Sequence, residues 1–301
     1  MKTVNKEKHM VALDFVVADH RFTLLFAEDG ENYKELLPSY GPFCVGESQL
    51  PLLFSMLIRL GKRESSMEGK ELGQFDCNGI NYGVYELADG YKMVIGSLND
   101  GVSCVLYTNR DFSECEAWLE GELSQRAFGL NNALMIAFAF AGAYRKTLLV
   151  HASVIRNGDK GYLFLGKSGT GKSTHSRLWI KYVEGSDLLN DDNPAIRIMD
   201  GKAYVYGTPW SGKTPCYRNL CVEAGAFLRL RQAPGNVIWR ETPIKAFASV
   251  LSSCSTMIWD RPSYDAICQT VEDVIKIVPA YHLDCLPDQA AAELSFATIA
   301  R

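Results

Sequence analysis

The sequence predicts an α/β protein in which a phosphate-binding α/β domain follows a small β-rich domain. Three observations predict it. A strand-like run, "GYLFLG", leads into the glycine-rich stretch "GKSGTGKSTHSRLW" (166–179), whose second half is amphipathic. A further apolar run ends in Asp191 and Asp192, 19 and 20 residues after Lys172. Upstream, between residues 75 and 107, one "NG" and two "DG" pairs separate alternating apolar runs, the pattern of antiparallel hairpins.

Length and composition bound the function classes. At 301 residues the chain is long enough for two domains and for cores that need no staples. Its net charge of −4 supplies no general basic field, which argues against nucleic acid or an anionic membrane as partner. The most apolar run, "ALMIAFAFAGA" (133–143), has about half the ~20 residues that a spanning helix needs, so it predicts a core helix. Nine cysteines occur without a C-x-x-C pair or zinc-ligand spacing. They read as small buried hydrophobes in a reducing compartment. The first residues carry lysines but no signal-like apolar stretch, which predicts a cytoplasmic protein.

The elements follow in order. Residues 10–26 read as two short strands broken near Asp19-His20, and residues 50–61 as a short helix or a buried segment. The hairpins of 75–107 complete a β-rich region. Between 111 and 145 the period changes, predicting two helices, "DFSECEAWLEGELSQ" capped by Asp111 and "NNALMIAFAFAGAYRK" capped by Asn131 or Asn132. The domain boundary falls softly within 108–130, and the division taken is 1–125 and 126–301. Then "TLLVHASVIRNGDKGYLFLG" gives strand, turn and strand, and "THSRLWIKYV" a helix. The Asp191-Asp192 strand is expected beside the "GYLFLG" strand as the second parallel strand of a βαβ crossover. A hairpin about Asp200-Gly201 follows, then "VEAGAFLRLRQ" and "NVIWRET" as paired strands. Two helices (in "PIKAFASVLSSC" and "DAICQTVEDVIK"), a late strand "PAYHLDC" and a terminal helix begun by Pro287 and Asp288 end the chain.

The chemistry concentrates in 151–192. Gly166, Gly171, Lys172 and Ser173 satisfy G-x-x-x-x-G-K-[ST], with strand before and helix after. Such a loop, with Ser168, Gly169 and Thr170 inside it, turns backbone N–H groups and a helix N-terminus toward phosphates. Lys172 is placed to reach the β- and γ-phosphates of ATP, Ser173 to ligate Mg²⁺, and Thr174 to lie near the α-phosphate. Two adjacent carboxylates at a strand end repel unless a cation or a proton lies between them. One of Asp191 and Asp192 then suits Mg²⁺ and the other an acceptor's hydroxyl proton. The same residues also make a good Asp-Asp-Asn-Pro turn. His151, in the segment before the loop strand, is either a group near the γ-phosphate or a hydrogen-bonded core histidine. Two further features stand out: the "TPWSGK" loop (208–213), with Gly212 and Lys213, and three candidate phosphate clamps, Arg218, Arg229 and Arg231.

Together, "HASVI" at 151, "GKSGTGKS" at 166 and "NDDN" at 190 resemble the catalytic domain of HPr kinase/phosphorylase. The loop also looks like that of the ATP-dependent phosphoenolpyruvate carboxykinases, which share that fold core. The resemblance covers about 145–210 well and the rest to 301 loosely. It implies a P-loop kinase domain of the HPr kinase/phosphoenolpyruvate carboxykinase-like type. That domain would transfer phosphate from ATP, with Mg²⁺, to a serine-type hydroxyl of a protein, peptide or small molecule. It places His151 near the transferring phosphate and Asp191 as general base, with Asp192 supporting metal and base. Thr174 stands where the family usually has Glu, and "GTPWSGKTPCYRN" replaces the family's later "E-[IV]-R-G-x-G" signature. These departures point to a divergent member and argue against HPr as its acceptor. The rival reading is a nucleotide-binding regulatory ATPase that transfers nothing to an acceptor. For the N-terminal domain, recognition of the acceptor, recognition of a partner and formation of a homo-oligomer all stay open.

Overall fold

A computed structural model describes residues 10–27, 33–63, 69–77, 80–97, 101–212 and 214–300. The chain divides into two compact units, Met1–Ala141 and Gly142–Arg301.

The first unit is built on one nine-stranded sheet. Its elements are β1 (Met10–Val17), β2 (His20–Ala27), a short α1 (Tyr33–Leu36), β3 (Cys44–Val45), β4 (Leu52–Leu60), β5 (Lys70–Cys77), β6 (Ile80–Leu87), β7 (Gly90–Ser97), β8 (Gly101–Asn109), β9 (Glu114–Leu119) and α2 (Leu123–Ala143). The strand order is β3-β1-β2-β4-β9-β8-β7-β6-β5. The β1–β2 turn has both central residues, Ala18 and Asp19, at positive φ (49° and 55°), the twist-compatible turn of a tight hairpin. Strands β5 to β8 form the meander that the turn pairs predicted, although Asn78-Gly79 and Asp100 lie outside the described residues.

One expectation is narrowed here and another fails, for one reason: of the short helix or buried segment offered for 50–61, the chain forms the buried segment. Residues 52–60 form no helix: β4 lies between β2 and β9, parallel to both, with Phe54, Met56 and Ile58 buried. A short apolar run cannot be told from a buried helix by periodicity alone, and only the distant partners decide it. Likewise "ECEAWL" is β9, with Cys115, Ala117 and Leu119 buried in strand alternation, and Asp111 caps a turn by accepting from the Ser113 N–H at 3.1 Å. A single helix, α2, follows instead of two. Asn131 and Asn132 are therefore inside it rather than at its start. They accept hydrogen bonds from Tyr40 Oη (3.2 Å) and Tyr82 Oη (3.1 Å), which satisfies amides that a helix interior would otherwise leave costly to bury. The apolar run 133–143 is a core helix as expected, with Ala133, Leu134, Ala137 and Phe138 fully buried. Among the described residues no helix is long and apolar enough to cross a membrane.

The second unit contains β10 (Thr147–Leu149), β11 (Ala152–Asn157), β12 (Lys160–Leu165), α3 (Lys172–Tyr182), β13 (Ser186–Asp192), β14 (Ala195–Met199), β15 (Lys202–Tyr206), β16 (Cys221–Gln232), β17 (Val237–Arg240), α4 (Pro243–Leu251), α5 (Arg261–Ile277), β18 (Ala280–Cys285) and α6 (Gln289–Ile299). The sheet order is β10-β14-β15-β16-β12-β11-β13, with β18 paired to the second half of β16. Here β17 pairs with β18 and not, as expected, with β16. Each face of the sheet carries a helical layer. On one side Trp179 of α3 and Ala292 of α6 pack with Phe164, Leu228 and Leu283. On the other, Val250 of α4 and Val271 of α5 pack with Val154, Leu163 and Phe227. The helix α6 starts as predicted, with Asp288 accepting from the Ala291 N–H at 2.9 Å.

One pairing governs the site. The aspartate strand β13 does not adjoin β12; β11 lies between them, antiparallel to both. Ala152 faces Leu165 on one side and Asp192 on the other. The carboxyl ends of β12 and β13 and the amino end of β11 therefore share one sheet edge, and His151 sits between Gly166 and the aspartates. Ligands of open α/β sheets bind at such strand carboxyl ends.

Candidate functional site

The glycine-rich loop leaves β12 at Gly166 and enters α3 at Lys172. Gly166 has φ 152°, and a Cβ there would lie 2.4 Å from Thr170 Oγ1, so only glycine fits. Gly171, the N-cap of α3, has φ 102°. Between them Thr170 closes the loop, donating from its N–H (3.2 Å) and its hydroxyl (2.8 Å) to the Lys167 carbonyl. Gln232, at the end of β16, donates to the Gly169 carbonyl at 3.2 Å and ties the loop to the sheet. Ser168 lies within this loop, and Thr174 in the first turn of α3 accepts from Arg177 at 3.4 Å.

Lys172 is buried, and its ammonium donates to the Gly166 carbonyl at 2.9 Å. It also lies 2.8 Å from His151 Nε2. Burial pushes the Lys172 pKa down, Asp192 and Asp191 oppose that shift, and the nearby Arg229 charge adds to it. A protonated Lys172 has only donors, so His151 Nε2 accepts and Nδ1 carries the proton. Nδ1–H then donates to Asp192 Oδ1, 3.0 Å away. Lys172, His151 and Asp192 are thus one relay. His151 is hydrogen-bonded, but its side chain is 33% exposed and so lies at the site rather than in the core.

Asp191 belongs to a second contact, accepting from the Ser173 hydroxyl at 3.0 Å. It is buried (4% exposed), whereas the Asp192 side chain is 35% exposed. Asp192 has φ 137°, a region costly for any residue with a Cβ, and such strain persists only where surroundings hold it. The surroundings are the 208–212 loop. Thr208, fully buried, donates to the Asn193 carbonyl at 2.7 Å and accepts from Asn190 Nδ2 at 3.1 Å. Ser211 Oγ donates to the Asp191 carbonyl at 3.1 Å, and the Gly212 N–H donates to the same oxygen. Residues 208–212 of the "TPWSGK" stretch therefore brace the aspartates from behind; Lys213 lies outside the described residues. Sequence reasoning singled out this stretch but did not see Asn190 and Thr208 as its fastening.

The three arginines part company. Arg218 pairs with Asp187 at 3.0 Å and Arg231 pairs with Asp284, whereas Arg229, among the described residues, bonds the Ser249 carbonyl (3.1 Å) and Ser252 Oγ (3.2 Å).

Ser173 Oγ and Asp191 Oδ1 are hard oxygen donors at one point, and they fit a small divalent cation. Among the described residues no group of three His, Cys, Asp or Glu side chains forms a metal cage. A cation there would keep positions for phosphate oxygens and water, which is how Mg²⁺ is held.

No family model matches the chain, and no curated protein matches it in sequence. The solved structures that match include the HPr(Ser) kinase/phosphatase from Coxiella burnetii, at 14% identity, covering 50% of this chain and 93% of that one, with a TM-score of 0.30. At that score and identity the functional reading rests on the site's own geometry.

Proposed function

We propose that this chain is an ATP- and Mg²⁺-dependent kinase that transfers the γ-phosphate to a hydroxyl of a protein, peptide or small molecule. The observation that carries the reading is the meeting, at one sheet edge, of the loop lysine with His151, Asp192, Ser173 and Asp191.

Each residue then has a task. The loop N–H groups and the α3 N-terminus hold phosphate oxygens, and Lys172, freed from the Gly166 carbonyl, neutralises the β- and γ-phosphates. Ser173 and Asp191 hold Mg²⁺, which offsets charge on the transferring group when bound. Asp192 is the partly open carboxylate, and it takes the proton of the acceptor hydroxyl, with His151 fixing its orientation. The acceptor oxygen bonds to the γ-phosphorus as the bond to the β,γ-bridging oxygen breaks. ADP leaves with that electron pair. This division reverses the roles that the resemblance implies for the two aspartates and follows contact and exposure: Asp191 is buried against the loop serine, and the Asp192 side chain is 35% exposed.

The test is nucleotide binding by calorimetry with Mg²⁺ present. Lys172→Ala is expected to weaken ATP at least tenfold, as loss of charge-assisted phosphate contacts does. Asp192→Asn is expected to keep ATP within about threefold, because a base does not hold the nucleotide. Unchanged ATP affinity in Lys172→Ala would remove the reading.

A further inference from the structure

Arg229 stands on β16 in register with Leu165, the last residue before the glycine-rich loop. Its guanidinium is anchored from one nitrogen, Nη1, on the Ser249 carbonyl and Ser252 Oγ at the end of α4. The last carbonyls of a helix lack internal partners and carry partial negative charge, so they hold a cation well. The same helix end touches the other side of the site: the His151 N–H donates to the Ser253 carbonyl at 2.6 Å. Arg229 and His151 are therefore fastened to one turn, 249–253, and Lys172 contacts His151.

Among the described residues Arg229 has no carboxylate partner, which separates it from Arg218 and Arg231. Its hydrogen-bond partners are neutral oxygens, so the guanidinium charge is paired with no protein anion among the described residues. A phosphate oxygen supplies the missing charge, and the planar fork suits it.

We propose that Arg229 is the site's terminal-phosphate reader, the side chain that distinguishes a nucleoside triphosphate from a diphosphate. The inference rests on the kinase reading and deepens it. Lys172 and the loop serve both nucleotides, and Arg229 serves the γ-phosphate alone.

The experiment compares calorimetric binding of AMP-PNP and ADP, each with Mg²⁺, to the full chain and to Arg229→Gln, Arg229→Lys and Arg231→Gln. Arg229→Gln is expected to weaken AMP-PNP by about ten- to a hundredfold, the loss of charge-assisted hydrogen bonds, and to leave ADP within about twofold. Intact ADP binding shows that the variant is folded. Arg229→Lys recovers part of the loss, because it keeps the charge but not the fork. Arg231→Gln leaves both nucleotides unchanged, since that guanidinium is already paired with Asp284. Equal weakening of both nucleotides by Arg229→Gln, or no weakening of either, overturns the inference and leaves the kinase reading standing. A wild-type chain that binds neither nucleotide overturns both.

Discussion

His175 lies one turn beyond Lys172 in α3 and is 2% exposed. Its Nε2 is 3.0 Å from Ser295 Oγ, which accepts from Trp179 Nε1 at 2.8 Å and donates to the Ala292 carbonyl at 2.9 Å. With the serine proton committed to Ala292, His175 must donate from Nε2 and is neutral. Burial lowers its pKa from 6.5 to about 4. The unfolded chain therefore takes up a proton near pH 6.5 and the folded chain only near pH 4. The associated stability is whole above pH 6.5 and is lost as pH falls through that window. At about 1.4 kcal/mol per pH unit, the loss reaches about 3 kcal/mol by pH 4. His175→Gln keeps a donor at a similar position and removes the titration. Urea unfolding followed by tryptophan fluorescence suits the test, because four of the five tryptophans lie in the second unit. Between pH 7.5 and 4 the wild type is expected to lose about 3 kcal/mol more than His175→Gln. Parallel losses in the two proteins would refute the argument that this imidazole is held neutral by burial.

Two further substitutions probe the brace and the strain behind the aspartates. Asp192→Gly relieves a backbone conformation that costs about 1–3 kcal/mol, so its thermal midpoint is expected to rise while phosphate transfer is lost; a lower midpoint would refute the strain. Thr208→Val preserves shape but leaves Asn190 Nδ2 and the Asn193 carbonyl without their hydroxyl partner, at about 2 kcal/mol in urea unfolding. It is also expected to slow transfer more than it weakens ATP binding, and full wild-type transfer would show that the brace does not position the aspartates.

What was legible in the sequence was what local chemistry dictates. Glycines, Lys172 and Ser173 announce their loop because that backbone path needs those residues, and Asp200-Gly201 marks a turn for the same reason; the sequence puts the first break at Asp19-His20, one residue past the Ala18-Asp19 turn, because alanine is no turn signal. Asp191 and Asp192 could be placed at a strand end. Non-local pairing was not legible. Nothing in "HASVI" says that it inserts between β12 and β13, yet that insertion brings His151 within reach of both Lys172 and Asp192. The strands β4 and β9 were obscured similarly: their side chains fit helix or strand, and only neighbours far along the chain decide. Arg229 could be named as a cation but not singled out, because its distinction is that, among the described residues, it lacks the carboxylate partner that Arg218 and Arg231 have.

Transfer of label from γ-labelled ATP tests the central claim most directly, with free serine, HPr and serine-containing peptides as acceptors. The account predicts label on an acceptor hydroxyl with wild-type protein, reduced at least a hundredfold in Asp192→Asn while ATP binding persists. Label released only as free phosphate, or undiminished transfer by Asp192→Asn, would contradict it.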